Sequence, residues 1–416
     1  MDYAVLHKLH THDVGFSIPY ASVSSSSFFS NPFASSPKGS LMKFTVERDV
    51  LAEAVGWTAR SLPLRPTSPV LNGLLIKAKS GEVSISSFDH EISAKQTIEA
   101  SVEQEGTCLV PGKMLAEICR SLPNADVEFV ANDSTIFMTC RSAKFQLAGM
   151  PVADYPELPE LPQISGTVDG AEFAKAVSQV QIAVSKDETL PLLTGIRLEI
   201  SGSTMTLLAT DRYRLAMREI TWNPENPEIE AAVLLKAKTM TEVGRTLSSS
   251  GELSIALPEN GDLIGFSAGS RRTTSVLMDG QYPNLRALFP TETAVHAVVR
   301  TSDLAEAARR ISLVAERNTP LRLQFTEDGQ VSIDAGRGDE ARASESMPAQ
   351  LDGHEITVAY NPTYLSEGLG AFDTDFVRFS FTEAPKPAVL SGQDEPLSEE
   401  DLSYRYLVQP IRLPAN

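Results

Sequence analysis

Apolar and polar positions alternate in two rhythms along the chain, and the rhythms recur in a fixed order. Met42–Val46 reads as a short alternating strand. Asp49–Ser61 then places Leu51, Ala54, Val55 and Ala59 at helical spacing and predicts an amphipathic helix. Leu74–Ala78, Glu82–Ser86 and Ile92–Gln96 alternate every second residue and predict strands with one buried face. A second helical stretch, Gly112–Leu122, stops at Pro123. Val127–Val130, Thr135–Thr139 and Lys144–Leu147 read as further strands. Turn points at Ser80-Gly81, Asn132-Asp133, Asn260-Gly261 and Asp328-Gly329 fit hairpins. Few helices among many short antiparallel strands predict an α+β fold.

This order is carried three times. Leu51-Ala-Glu-Ala-Val55 returns as Phe173-Ala-Lys-Ala-Val177 and as Leu304-Ala-Glu-Ala-Ala308. Pro69-Val-Leu-Asn-Gly73 and Pro191-Leu-Leu-Thr-Gly195 follow the first two copies at the same spacing, while Pro320-Leu-Arg-Leu323 arrives two residues early. Val110–Glu117, Leu235–Glu242 and Tyr360–Glu367 recur at a constant interval. A repeat of this length is a whole domain rather than a solenoid unit. Proline-rich segments, Tyr155-Pro-Glu-Leu-Pro159 and Tyr282-Pro-Asn-Leu285 with Phe289-Pro290, favour extended linkers. The division expected is a leader at 1–41 and domains at 42–162, 163–290 and 291–416.

Composition sharpens this picture in three places. Residues 1–41 are serine-rich, lack either rhythm, and are expected to be a disordered leader, vector-derived or mis-assigned; His7, His10 and His12 within it are weak metal candidates. The formal net charge is −18, which argues against a simple basic nucleic-acid-binding domain unless positive charge is gathered on one face. Cys108, Cys119 and Cys140 lack metal-site spacing and read as reduced thiols. No secretory signal and no membrane-spanning apolar run stands out, so a cytoplasmic protein is expected.

Several short motifs invite chemistry and are set aside. Gly265-Phe-Ser-Ala-Gly269 matches a nucleophile elbow, but Arg271–Leu277 after it alternates like a strand where a helix is needed. A hydrolase using Ser267 is therefore the weaker alternative. Chance suffices for Arg337-Gly-Asp339, and Asn132-Asp-Ser134 could accept a glycan only in a secreted protein, which no signal peptide supports. No phosphate loop, zinc pattern or paired carboxylates emerge, and no cofactor or metal is expected.

The triplication, the want of an active site, Ala209-Thr-Asp-Arg-Tyr-Arg-Leu215 and the terminal Leu407-Val-Gln-Pro-Ile-Arg-Leu413 together resemble the β subunit of bacterial DNA polymerase III, the sliding clamps. The resemblance spans Met42 to Leu413. It implies the DNA clamp fold: three similar domains per chain, each with two helices packed on antiparallel sheets, and two chains closing head to tail into a ring. The function implied is that of a non-catalytic processivity factor. It would encircle duplex DNA without reading sequence and tether the replicative polymerase α subunit, the clamp loader, other polymerases and repair proteins. A scaffold built on the same repeats is a further alternative.

The resemblance also implies sites. A peptide-binding pocket between domains two and three would use Leu193, Thr210, Tyr213, Arg214 and Leu215 from the second domain, with Pro283 and Leu288 from the linker. The third domain would add Tyr364, Pro387, Leu407, Gln409, Pro410 and Arg412. Partner segments of the Gln-x-x-Leu-x-Phe type would enter it. Ala287 stands where many relatives have Arg and Gln409 where others have Met; both bear on peptide preference. Cations on the helices, Arg60, Arg120, Lys236, Lys238, Arg245, Arg309 and Arg310, would face DNA, joined by Arg65, Lys186 and Arg317 in loops. The resemblance favours Arg65 and Arg120, and Asp187 weakens the loop of Lys186. Phe145 and Leu147 would meet Leu313 of a second copy.

Overall fold

The computed structural model describes residues 42–132, 134–247, 251–259, 261–315, 319–335 and 342–412. The expectations for the 1–41 leader, its histidines, Arg317, Asp133, Asn260, Arg337-Gly-Asp339 and Leu413 lie outside these residues. Among the described residues there are six α-helices: α1 (Arg48–Thr58), α2 (Gly112–Ser121), α3 (Gly170–Gln181), α4 (Ala237–Leu247), α5 (Thr301–Ser312) and α6 (Pro362–Leu369). They pack in pairs, α1 on α2, α3 on α4 and α5 on α6, one pair to each sequence repeat.

Local chemistry sets the helix limits. In α1 the buried residues are Leu51, Ala54, Val55, Trp57 and Thr58, a helical stripe. The helix tightens into a 3-10 turn at Ala59–Ser61, because Leu62 precedes Pro63 and must be extended. Asp169 caps α3 by accepting from the Glu172 backbone N–H at 2.8 Å. Asn361 caps α6 by accepting from Thr363 and Tyr364, with Pro362 as the first helical residue.

Three antiparallel sheets carry the helices. One has five strands, in the order Ser101–Gln104, Met42–Glu47, Asp126–Ala131, Thr135–Cys140, Ala143–Ala148. The other two run across repeat boundaries. Arg271–Val276 of the second repeat pairs with Ile92–Glu99 of the first, with Arg272 opposite Lys95 and Thr274 opposite Ser93. Arg214–Thr221 of the second repeat pairs with Asp401–Val408 of the third, with Leu215 opposite Leu407 and Met217 opposite Arg405. Each internal junction is thus a sheet continued by main-chain hydrogen bonds. The core of the first repeat is one apolar cluster; a larger one fills the second and third repeats and takes in Trp57 and Ala94 from the first.

Two strands, Ser101–Gln104 and Gly106–Pro111, were not legible in the sequence. The former has almost no buried residue, so it shows no apolar alternation. Ser267 sits in the strand Leu263–Ala268, and a tight turn leads straight into the strand Arg271–Val276, with Ser267 opposite Arg272. No helix follows, so the elbow reading fails. Its glycines have other reasons. Gly269 has φ +57°, and a Cβ at Gly265 would lie 2.3 Å from Leu161 Cδ1, where the linker presses on the sheet.

Candidate functional site

The strand pair at the junction of the second and third repeats builds a small apolar floor. Leu208, Leu215, Met217, Leu285, Val389 and Leu407 form a cluster separate from the main cores, with Tyr282 and Phe289 packed against it. Strand alternation explains the membership. Leu215 and Met217 point one way, while Ala216 between them joins the helix-side core. The linker supplies Tyr282, Leu285 and Phe289, and Leu288 beside them is 56% exposed. An apolar floor with an exposed apolar lip is a surface able to receive another chain.

The expected pocket residues divide between the two faces of this sheet. Leu215, Leu407, Pro283 and Leu288 belong to the outer floor and its rim. Arg214 is buried and turns to the helix side, where it pairs with Asp211 at 3.0 Å and Glu367 of α6 and lies 4.4 Å over the Tyr364 ring. Tyr213 stacks on Tyr364 at 6.2 Å and accepts a hydrogen bond from the Gln409 backbone at 2.8 Å. These groups sit at the end of the strand pair, beside the floor. Thr210 is buried and bonded to the Arg214 carbonyl. Pro410 is buried, Pro387 half-buried, and Gln409 and Arg412 exposed. Leu193 lies in the 3-10 turn Pro191–Thr194, which feeds the strand Gly195–Ser201 at its Thr210 end.

Sequence reasoning missed six residues of this region: Leu208, Met217, Tyr282, Leu285, Val389 and Arg286. Met217 was within reach, since it follows Leu215 at strand spacing. Arg286 was not, because its partners are remote. It comes from the 3-10 turn Arg286–Leu288 and clasps the outer face of the second repeat. Its Nε donates to Glu199 at 2.9 Å, Nη1 to Glu219 at 2.9 Å and Nη2 to Thr206 at 2.7 Å. Arg197 donates to the other Glu199 oxygen at 2.8 Å and lies over the Tyr282 ring. Burial works against the Glu199 charge, but the hydrogen bonds from Arg197 and Arg286 outweigh it and hold the carboxyl below its ordinary range.

The helix cations are only partly available. Lys236 pairs with Glu91, Arg245 with Glu242, and Arg310 with both Glu306 and Glu345. Arg60, Arg65, Lys186, Lys238 and Arg309 are exposed and make no ion pair among the described residues. Arg120 is exposed and returns only to the Ala116 carbonyl. Arg120, Arg245, Arg309 and Arg310 occupy last helical turns, where the helix dipole favours cations. The helices also expose Glu53, Glu117 and Glu306, so positive charge is not cleanly gathered on them.

The expected contact between copies needs one correction. Leu313 is 84% exposed and Phe145 half-buried, but Leu147 belongs to the first repeat's core. Phe145 and Leu147 share the inward face of Ala143–Ala148, but Leu147 is covered by its own core, with 4% exposed, while Phe145 stays half-buried. Cys108, Cys119 and Cys140 are free and buried, and burial pushes the Cys108 and Cys119 thiols up to about 12. No group of histidine, cysteine and carboxylate side chains suited to a metal occurs among the described residues.

Comparison with known proteins gives one answer along the chain. Family models described as the N-terminal, central and C-terminal domains of the DNA polymerase III beta subunit match residues 42–159, 167–284 and 286–406. The chain is 50% identical over 375 residues to a beta sliding clamp of Streptomyces coelicolor, covering 89% of this chain and all of the relative. It is 58% identical over 311 residues to one from Micrococcus luteus, covering 75% of this chain and all of that one. The crystal structure of the DNA polymerase sliding clamp from Bacillus subtilis is similar at a TM-score of 0.84 and 28% identity, covering 90% of this chain and all of that one.

Proposed function

The chain belongs to the DNA polymerase III beta subunit family, the sliding clamps, and on that premise we propose which of its surfaces close the ring, face DNA and hold partners. It is a DNA polymerase processivity factor with no catalytic role of its own. It encircles DNA and binds the polymerase. Loose, water-filled phosphate contacts suit that task, since a ring that slides needs no base readout.

The partner pocket is the outer floor at the second internal junction, Leu208, Leu215, Met217 and Leu407, bordered by Leu285 and Leu288. Tyr213, Tyr364 and Gln409 at the strand ends are its polar border. The observation that carries this reading is a buried apolar cluster detached from the cores, bordered by a turn in which Leu288, bonded through its backbone to Leu285, is 56% exposed. A short apolar segment fits such a floor, and affinity near micromolar, about −8 kcal/mol, suits partners that must exchange. Polymerase, clamp loader and repair proteins are the partners proposed for it. In a fluorescence-anisotropy titration with a labelled Gln-x-x-Leu-x-Phe peptide, Leu288→Asp weakens binding at least about tenfold, while Arg120→Ala leaves it unchanged. Equal binding by Leu288→Asp and the parent chain would mean the pocket lies elsewhere.

The ring proposed is closed by two chains, and the repeats support one way of joining them. The strand Ala143–Ala148 is the counterpart of Arg271–Val276, which continues a sheet at the first junction. It has Thr135–Cys140 on one side and an open edge on the other. Residues 343–348 pair with Gln330–Ala335 on one side alone, although their counterpart Ile92–Glu99 is paired on both. The helix layer agrees. Thr239 and Val243 of α4 are buried at the first junction; their counterparts in α2, Met114 and Ile118, are 54% exposed and half-buried. One open half meets the other in a second copy, and a heterologous contact that closes makes a ring. Phe145, Met114 and Leu313 are the apolar contacts proposed there.

Arg60, Arg65, Arg120, Lys186, Lys238 and Arg309 are proposed to face DNA, with Lys236, Arg245 and Arg310 contributing less because carboxylates hold them. Domain limits at 42–162, 163–290 and 291–416 follow the linkers. No helix of the described residues is long and apolar enough to cross a membrane, and a cytoplasmic location fits the replication role.

A further inference from the structure

The partner pocket has a counterpart at the first junction, and its chemistry is inverted. Strands Gly73–Lys79, Glu82–Phe88 and Ile92–Glu99 correspond to Gly195–Ser201, Thr204–Thr210 and Arg214–Thr221 at one constant offset. The junction strands correspond as well, since Thr274 stands opposite Ser93 as Leu407 stands opposite Leu215. The linker repeats in detail. Tyr155 opens the first linker as Tyr282 opens the second, and its hydroxyl accepts from the Phe88 backbone N–H at 2.7 Å, Phe88 being the counterpart of Thr210. Where the second junction sets Leu208, Leu215, Met217 and Leu407, the first sets Ser86, Ser93, Lys95 and Thr274.

These residues line a cavity of about 640 Å³ under the linker 155–161. Lys77, Lys95 and Arg272 all line it and are exposed. Register puts Ser86, Lys95 and Arg272 in one row across three strands. Among the described residues none of the three cations forms an ion pair, although Glu157 and Glu160 of the linker also line the cavity and are exposed. Ser93 and Thr274 share a hydrogen bond of 2.6 Å on the floor. Three cations against two carboxylates leave this cavity with a small local excess of positive charge, on a chain of formal net charge −18. Tyr155 is buried and Phe88 half-buried, so no aromatic face is offered for stacking a base.

We propose that this groove is a second docking site on the ring's outer face, and that it takes an extended acidic peptide segment of a partner protein. Carboxylates of the segment pair with Lys77, Lys95 and Arg272, above the floor of Ser86, Ser93 and Thr274. The partner pocket and this groove lie at successive junctions of one chain, so a partner carrying an apolar motif and an acidic stretch reaches both, and two weak contacts on one tether add through effective concentration.

The test uses the full chain and a fluorescein-labelled octapeptide of alternating aspartate and serine at low salt. The expected result is saturable binding that Lys95→Glu with Arg272→Glu weakens by about tenfold or more. The same variant binds the Gln-x-x-Leu-x-Phe peptide as before, so failure of this groove is distinguishable from failure of the partner pocket. Reversal of Arg48, a cation away from the groove, by Arg48→Glu leaves octapeptide binding unchanged. Equal binding by the double variant overturns the proposal. So does tighter groove-dependent binding of a labelled oligo-dT of similar charge, which would make the site one for single strands.

Discussion

Arg286 decides whether the linker is a fixed wall of the partner pocket or a loose strap over it. Arg286→Ala removes hydrogen bonds to Glu199, Glu219 and Thr206 together. Hydrogen bonds to charged groups contribute about 1.5–3 kcal/mol each when protected. Here the Arg286 side chain is 44% exposed and Glu199 and Glu219 are 28% and 32% exposed. Solvent screening cuts each ion pair to about 0.5 kcal/mol, and the stranded carboxylates rehydrate cheaply. With the hydroxyl contact, the loss comes to about 1–2 kcal/mol. The adjoining residues Leu285 and Leu288 border the pocket, so freeing the turn lowers the fraction of chains with a formed wall. Peptide affinity then falls by about three- to tenfold, the full factor appearing only if the wall is marginally stable. Fluorescence anisotropy reads this directly. Arg286→Lys recovers little, because a lysine cannot span three acceptors with one planar fork. Glu199→Gln combined with Arg286→Ala costs less than the two alone, as expected of partners in one network. Affinity unchanged within about twofold, alongside a lowered melting temperature, would refute the reasoning and leave the clasp a purely structural device.

Two further outcomes follow from the same geometry. Leu313→Asp with Met114→Asp puts two charges into the contact proposed between copies, and light scattering at micromolar concentration shows the 45.0 kDa chain in place of twice that mass; a variant that stays dimeric contradicts the junction. The Glu199 carboxyl is held below its ordinary value of 4.5, so the clasp's contribution is present above that value and is lost as pH falls through the lowered one. Peptide affinity should therefore hold in mildly acid solution and drop only below the ordinary carboxylate value in the parent chain, and less so in Arg286→Ala; identical pH profiles would exclude the clasp as the cause.

The sequence made the repeats and their elements legible because each helix buries a stripe and most strands bury one face. Leu51, Ala54 and Val55 announce α1 without help from the rest of the chain. The strand Ser101–Gln104 stayed hidden because its residues are exposed and polar. The apolar cluster at the second junction was legible in part through Leu215 and Leu407, which a resemblance singled out. Their neighbours Leu208 and Val389 were not, since membership in the floor depends on register between strands far apart in sequence. Arg286 is the extreme case: nothing near it marks it, and its three partners come from three different strands. Leu147 failed for a complementary reason. An apolar residue in an edge strand belongs to the core or to an interface according to how far its own sheet and helices cover it, and Leu147 is covered where Phe145, on the same face, is only half-buried.

The central claim is that the chain holds DNA by enclosing it. The direct measurement loads the clamp onto a nicked circular plasmid with a bacterial clamp loader and ATP, isolates the complex in high salt, and then cuts the circle once with a restriction enzyme. Enclosure predicts that the protein stays on the circle when salt has screened its phosphate contacts and leaves once an end is available. Release from intact circles at the same salt, or equal retention on circles and linear DNA, would mean that the protein grips DNA instead of surrounding it.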